Sequence, residues 1–291
     1  MTRALNWDDV PILHHTAHPP ARVAAERVRS ISVCLPARDE AATIGTILAD
    51  IMPLREQGVI DQVVVVDDSS DGTGEIAAAA GAEVYDQSSL MPSYGPVDGK
   101  GDAMWRALSV LEGDVVCFLD ADSEQFGPHY VSGLVGPVAG PAGAHLTKAF
   151  YRRPWSMSGV ELPEGGGRVT ELTARPVLER FFPELASFRQ PLAGELAARR
   201  ELLDELAFIC GYGVDIALLI DAWRAVGLSG LVQVDLDVRQ NRHRPLSELS
   251  PMAGAVLDAA LSRAGILPLS AAQRPPFGET RSALSAAATR A

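Results

Sequence analysis

The run Gln62-Val-Val-Val-Val66, stopped dead by Asp67-Asp68, constrains this chain more than anything else in it. Four consecutive valines point to both faces of an extended strand, so a sheet holding this run must be covered on both sides. An antiparallel sheet with one wet face would alternate apolar with polar, and this run does not. Two more runs share the form. Ile31-Ser-Val-Cys-Leu-Pro36 ends at a proline, and Asp114-Val-Val-Cys-Phe-Leu119 ends in Asp120-Ala121-Asp122. A shorter strand is read at Ala82-Glu-Val-Tyr85.

Helical patterns separate these strands. Ile44, Ile47, Leu48 and Ile51 recur at helical spacing within residues 41–51, and Ala77 to Ala80 closes a helix at Gly81. A Pro- and Gly-rich loop at 91–99 precedes a helix over 102–111. Strand-helix alternation predicts an α/β, Rossmann-like fold with a mostly parallel sheet flanked by helices. Ligands of such sheets bind beyond the carboxyl ends of the strands. Three strand ends carry carboxylates, at Asp39/Glu40, Asp67/Asp68 and Asp120/Asp122, and the site is expected there.

The second half changes character: helices are read over 171–181, 195–206 and 214–226, then a strand over 231–238. The organisation expected is an N-terminal arm (1–30) outside the core, a nucleotide-binding half (31–145) and an acceptor-binding half (146–268). The tail (269–291), rich in Ala, Ser, Arg and Pro, is expected to be disordered.

Charge and composition narrow the function. A net charge of -12 over 291 residues opposes general nucleic-acid binding. No apolar run approaches the roughly 20 residues of a membrane span, and no basic-then-apolar leader opens the chain, so no membrane association and a cytoplasmic enzyme are expected. Cys34, Cys117 and Cys210 lack metal or disulfide spacing and are read as buried thiols. An acidic chain that binds anionic substrates must concentrate its positive charge locally.

Four motifs carry chemistry. Asp120 and Asp122, two apart at a strand end, can hold a divalent cation through hard oxygens, though one of them could simply cap the next turn. Lys100, between Gly99 and Gly101, can meet a phosphate as a point charge; it is a weak signal and lacks P-loop spacing. Gly165-Gly-Gly167-Arg168-Val-Thr170 offers backbone N–H groups, a guanidinium and a hydroxyl to an anion, against the plainer alternative of a capped turn. Arg239, Arg242 and Arg244 flank Asn241 and His243 in the densest positive cluster; they could neutralise a diphosphate, and His243 could add a metal ligand. Asp215, opening a helix, is either a reacting-centre carboxylate or a first-turn acid favoured by the dipole.

From Ser32 to about Arg263 these residues, in this order, resemble the glucosyl-3-phosphoglycerate synthases and the related retaining mannosyl-3-phosphoglycerate synthases, which have the GT-A fold. The general pieces are Leu35-Pro-Ala-Arg-Asp-Glu40, Asp67-Asp-Ser-Ser70 and Asp120-Ala-Asp122; the specific ones are Gly165 to Leu172, Gln190 to Glu195 and Gly211-Tyr-Gly-Val-Asp215. Gly99-Lys-Gly101, Lys148 to Pro154 and Arg239 to Leu246 complete the match. The resemblance implies that Pro36, Ala37, Arg38, Glu40, Asp68, Lys100, Asp120 and Ala121 line the nucleotide and diphosphate. It implies a magnesium site, open to manganese, at Asp120 and Asp122; the third protein ligand, Asn241, His243 or neither, stays open. Gly167, Arg168, Thr170 and Tyr212 would hold the acceptor, with Asp215, Leu192 and Arg239 around the reacting centre. The implied activity is metal-dependent transfer of glucose from an NDP-sugar such as UDP-glucose to the 2-hydroxyl of 3-phosphoglycerate, with retention, by a homodimer.

The chain departs from the family pattern at several points. Arg38-Asp39-Glu40 stands where Asn-Glu is usual, and Asp67-Asp68-Ser69-Ser70 where Asp-Ser-Gly-Ser is usual. Asn241 takes the place of the family's metal-binding His, His243 that of its Asn, and Asp215 that of its Glu. Rival readings are a GT-A transferase with another donor or acceptor, and a non-catalytic nucleotide-sugar binder. Nucleotidyl transfer ranks below both because no glycine follows the first strand, and lipid-phosphate glycosylation because no membrane-binding helix is seen.

Overall fold

The computed structural model describes residues 10–141, 143–153, 155–157, 160–162, 166–239 and 245–288. Twelve strands are described: β1 (Ile12–His14), β2 (Ile31–Ala37), β3 (Gln62–Asp67), β4 (Glu83–Asp86), β5 (Val115–Phe118), β6 (Leu146–Arg152), β7 (Trp155–Met157), β8 (Val160–Leu162), β9 (Leu196–Arg199), β10 (Phe208–Ile209), β11 (Leu231–Val238) and β12 (Gln273–Arg274). The helices are α1 (Pro20–Glu26), α2 (Ile44–Glu56), α3 (Thr73–Ala79), α4 (Gly99–Ala107), α5 (His129–Ala139), α6 (Arg175–Phe181), α7 (Arg200–Glu205), α8 (Val214–Val226), α9 (Leu246–Arg263) and α10 (Phe277–Ala288).

Eight strands form one sheet in the order β1-β11-β6-β9-β5-β2-β3-β4. All neighbours are parallel except β9, which runs antiparallel between β5 and β6. This is the mostly parallel, helix-flanked α/β sheet that the apolar runs predict, and it agrees with the GT-A fold that the resemblance implies. Successive strand residues feed opposite cores. Val33, Leu35, Val63 and Val65 pack with Ile44, Ile47, Leu48 and Ile51 of α2 and with α5 on one face. Cys34, Val64 and Val66 pack with Met104 and Trp105 of α4, and with α8 and α9, on the other. Each fully buried aliphatic side chain contributes roughly 1.5–3 kcal/mol, which is why no polar residue interrupts the valine run. The three thiols are buried and free.

Three expectations are corrected. The N-terminal segment is not an arm outside the core, because β1 pairs in parallel with β11 (Ile12↔Gln233) and Val10 is buried. Three residues are too few to show a period, and the partner is remote in sequence. Residues 269–288 are likewise ordered. β12 pairs with β10, Phe277 packs edge-on to Trp105, and the Trp105 indole Nε1 donates to the Pro275 carbonyl at 2.8 Å. Within 195–206, read as one helix, Leu196–Arg199 is instead the central antiparallel strand. Leu196 and Ala198 face one core and Ala197 the other, and burial between β5 and β6 overrides helix propensity. The division expected near residue 145 falls between strands of this one continuous sheet. Among the described residues no helix is long and apolar enough to cross a membrane.

Candidate active site

The carboxyl ends of β2, β3 and β5 open into a cleft of about 670 Å³. Sharp local turns hold these ends together. Asp39 leaves β2 with φ +56°, and its Oδ1 accepts from Ser70 N at 3.0 Å while its own N–H donates to Ser69 Oγ at 2.9 Å. The β2 and β3 exits are thereby stitched to each other. The Thr43 hydroxyl donates to the Ala121 carbonyl at 2.6 Å, tying α2 to the β5 exit. Pro36, Ala37, Arg38, Glu40 and Asp68 line this side of the cleft, with Arg38 Nε 3.8 Å from Asp68 Oδ2.

An ion-pair chain crosses the floor. Lys100 Nζ lies 2.6 Å from Asp120 Oδ1 and 3.4 Å from Asp215 Oδ2. Arg239 Nη2 donates to Asp122 Oδ1 at 2.7 Å, Nη1 stands 3.5 Å from Asp120 Oδ2, and the guanidinium also pairs with Glu195. Tyr151 completes a buried ring: its hydroxyl donates to Glu195 Oε2 at 2.9 Å and accepts from Arg239 Nη1 and Arg153 Nη2, each at 2.8 Å. Burial would push the Asp120 carboxyl up, but the Lys100 and Arg239 charges prevail and hold it well below the usual carboxylate range. Burial would lower the Lys100 ammonium, and Asp120 and Asp215 instead raise it. Both groups are therefore firmly charged at neutral pH. Gly194 makes the approach possible, because a Cβ there would stand 2.2 Å from Asp120 Oδ1 and 2.3 Å from Lys100 Nζ.

The opposite wall is built differently. Gly166, Gly167, Arg168 and Val169 lead into a π-helical turn, Thr170–Ala174, at the head of α6. Gly167 has φ +76°, which favours glycine, and Gly166 packs so close to Arg153 that a Cβ would lie 2.6 Å from Arg153 Cβ. Tyr212, about half exposed, leaves the short turn before α8, and α9 contributes Leu249, Met252 and Val256. Leu192 and Asp215 also line the cleft. Among the described residues Asp215 Oδ1 is buried without a hydrogen-bond partner, while Oδ2 faces Lys100.

The cleft therefore gathers the expected site residues Lys100, Asp120, Ala121, Asp122, Leu192 and Arg239, together with Gly167, Arg168, Thr170, Tyr212 and Asp215. Gly165, Asn241, Arg242, Arg244 and the candidate metal ligand His243 lie outside the described residues. Asp120 and Asp122 present two hard carboxylates to one cleft, a donor set that fits Mg2+ or Mn2+, and Lys100 and Arg239 are the positive charges paired with them. Sequence reasoning missed Arg153 and the Tyr151–Glu195 pair beneath Arg239. The Arg152-Arg153 doublet after a strand was their available signal.

Comparison with known proteins identifies this architecture. Residues 32–153 match the model of glycosyl transferase family 2. The glucosyl-3-phosphoglycerate synthase of Mycolicibacterium smegmatis is 46% identical over 84% of this chain and 80% of its own length. The crystal structure of glucosyl-3-phosphoglycerate synthase from Mycobacterium tuberculosis in complex with Mn2+, uridine diphosphate and phosphoglyceric acid superposes with a TM-score of 0.85. It is 40% identical, covering 96% of this chain and 100% of that one. Mannosyl-3-phosphoglycerate synthase from Rubrobacter xylanophilus gives a TM-score of 0.85 at 42% identity, over 93% of this chain and 96% of that one. With the expected fold present and the expected residues around one cleft, this chain is a glycosyltransferase that belongs to the glucosyl-3-phosphoglycerate synthase family.

Proposed function

We propose that this enzyme transfers glucose from UDP-glucose to the 2-hydroxyl of 3-phosphoglycerate, with retention and with Mg2+ or Mn2+. One observation carries the reading: a single cleft is lined by two groups of residues suited to anions. Lys100, Arg239 and the Asp120/Asp122 pair suit a metal-bound diphosphate, and Gly167, Arg168 and Thr170 suit a second, smaller phosphate. The M. tuberculosis relative has been solved with Mn2+, UDP-glucose and phosphoglyceric acid, which agrees with such a pairing of ligands.

We assign the donor nucleotide and diphosphate to Pro36, Ala37, Arg38, Glu40, Asp68, Lys100, Asp120 and Ala121. The acceptor goes to Gly167, Arg168, Thr170 and Tyr212. A cation held by Asp120 and Asp122 would supply charge neutralisation of the diphosphate. Lys100 and Arg239 add fixed positive charge where the leaving group develops its negative charge. The sugar C1–O bond to the diphosphate breaks as C1 bonds to the acceptor oxygen on the same face, and the hydroxyl proton passes to the departing phosphate oxygen. Asp215 and the Leu192 main chain flank that centre and orient the sugar, so most of the acceleration is positioning and electrostatics. We also take the enzyme to be cytoplasmic and, as the family resemblance implies, a homodimer; light scattering that returns the monomer mass would refute the dimer.

The deciding experiment is a donor-by-acceptor matrix: UDP- and GDP-linked glucose and mannose against 3-phosphoglycerate and glycerol 3-phosphate, with Mn2+ or with chelator. Glucosyl transfer from UDP-glucose to 3-phosphoglycerate that chelator abolishes is the expected result. Turnover confined to another donor or acceptor would leave the fold and metal site standing and overturn the substrate assignment.

A further inference from the structure

Away from the cleft, a second group of potential ligands converges at the sheet edge. His14 closes β1 and His15 begins the turn after it, while Asp237 lies at the irregularity in β11 between Asp235 and Val238. Asp237 has φ +69°, a left-handed conformation rare outside glycine, and its N–H donates to Asp235 Oδ1 at 3.0 Å. His14 Nε2 lies 3.2 Å from Asp237 Oδ1, and His15 Nε2 lies 2.7 Å from Oδ2. One donor atom from each residue falls within 4.8 Å of the others.

The surroundings suit metal ligation. His14 Nδ1 sits 2.8 Å from Thr16 Oγ1, an outer partner that can hold the ring and leave Nε2 as the ligating nitrogen. The His15 ring packs on His129 at a centroid distance of 4.4 Å, and its side chain is only 15% exposed. His14 and Asp237 are 44% and 48% exposed, which leaves room for a water ligand. Hydrogen bonds from His15 and then His14 hold the Asp237 carboxyl below its usual range.

We propose that His14, His15 and Asp237 bind one divalent cation of the zinc class, with water completing the coordination. Two imidazoles and one carboxylate favour Zn2+ or Co2+ over Mg2+, which seeks oxygen ligands; Asp120 and Asp122 in the cleft have the opposite preference. A bound ion would staple β1 to the end of β11, two residues before Arg239. The competitor of this site is a simple hydrogen-bonded cluster in which each imidazole donates to the carboxylate.

The test uses the full chain, stripped with chelator and carrying Asp120→Asn and Asp122→Asn so that the cleft ligands are removed. Co2+ titration followed by visible absorption should give one equivalent bound, in a nitrogen- and oxygen-ligated spectrum, undisplaced by excess Mg2+. His15→Ala and Asp237→Gly should each weaken binding by about tenfold or more. Glycine accepts the backbone angle at 237, so an unchanged metal-free melting curve shows that the fold survives this variant. Absence of Co2+ binding in a double-Asn background that keeps the parent's circular dichroism spectrum, or in the parent with its cleft saturated by Mg2+, overturns the proposal. Equal affinity in the parent, His15→Ala and Asp237→Gly overturns it too.

Discussion

The two groups of cleft residues proposed to hold phosphate are built in different ways. The proposed donor wall follows the ends of β2, β3 and β5 and the start of α4, and its Lys100–Asp120 and Arg239–Asp122 contacts are already formed. The acceptor wall is a glycine turn running into a π-helical segment, followed by the exposed Tyr212 and by side chains of α9. Fixed charge on the donor side is placed to meet a leaving group whose charge appears only in the transition state. The acceptor arrives with its charge already present, so its proposed wall holds the same charge in the ground state and in the transition state. Donor-side changes should therefore fall on kcat, and acceptor-side changes on KM.

The harshest test of this contrast is Asp120→Asn. It removes a metal ligand and the partner of Lys100, and kcat should fall by about 1,000-fold or more in a steady-state assay with saturating metal. A loss confined to KM would break the contrast outright. Gly194→Ala comes next, because its Cβ would displace Asp120 or Lys100. A shift of about 1 Å there should cost roughly 100-fold in kcat with the acceptor KM little changed. On the other wall, Arg168→Ala should raise the 3-phosphoglycerate KM by about 10- to 100-fold and leave UDP affinity, read by calorimetry, as in the parent. An equal drop in kcat would mean that Arg168 acts on the transition state as well.

The smallest effect concerns the rigidity of the donor floor. Burial pulls the Lys148 ammonium down to about 8 from the ordinary 10.5, against the opposing pull of Asp215. The folded protein thus sheds this proton before the unfolded chain does, so stability rises with pH between about 8 and 10.5 and is lost as pH falls through 8. Lys148→Met removes the titration. Relative to it, the wild-type melting temperature should climb by about 2–4 °C across that window for each 1 kcal/mol gained. A parallel pair of curves would show that Lys148 stays protonated in its site.

Legibility followed the range of the interactions. Asp67, Asp120 and Asp122 were readable because a long apolar run stopping at an acid is a local pattern that only a buried strand end explains. Arg168 and Arg239 were readable as local excess positive charge in an acidic chain. Tyr151, Arg153 and Glu195 were not singled out, because nothing near each in sequence shows that they meet around one guanidinium. The same limit hid β1, whose partner β11 lies more than two hundred residues away, and α10, whose anchor Phe277 finds Trp105 across the core. Local helix-like composition misled at Leu196–Arg199, where burial on both faces decided for a strand.

Sequence alone determined the layered α/β class, the strands whose ends line the cleft and the acids at those ends. These follow from hydrophobic periodicity, which acts over a few residues and does not depend on where the chain goes next. Tertiary structure alone decided that the Gly167–Thr170 turn lines the same cleft as Lys100, that Glu195 and Tyr151 lock Arg239, and that His14 and His15 meet Asp237. Those contacts join remote segments. Their geometry is set by how the sheet orders its strands, and no local pattern encodes that order.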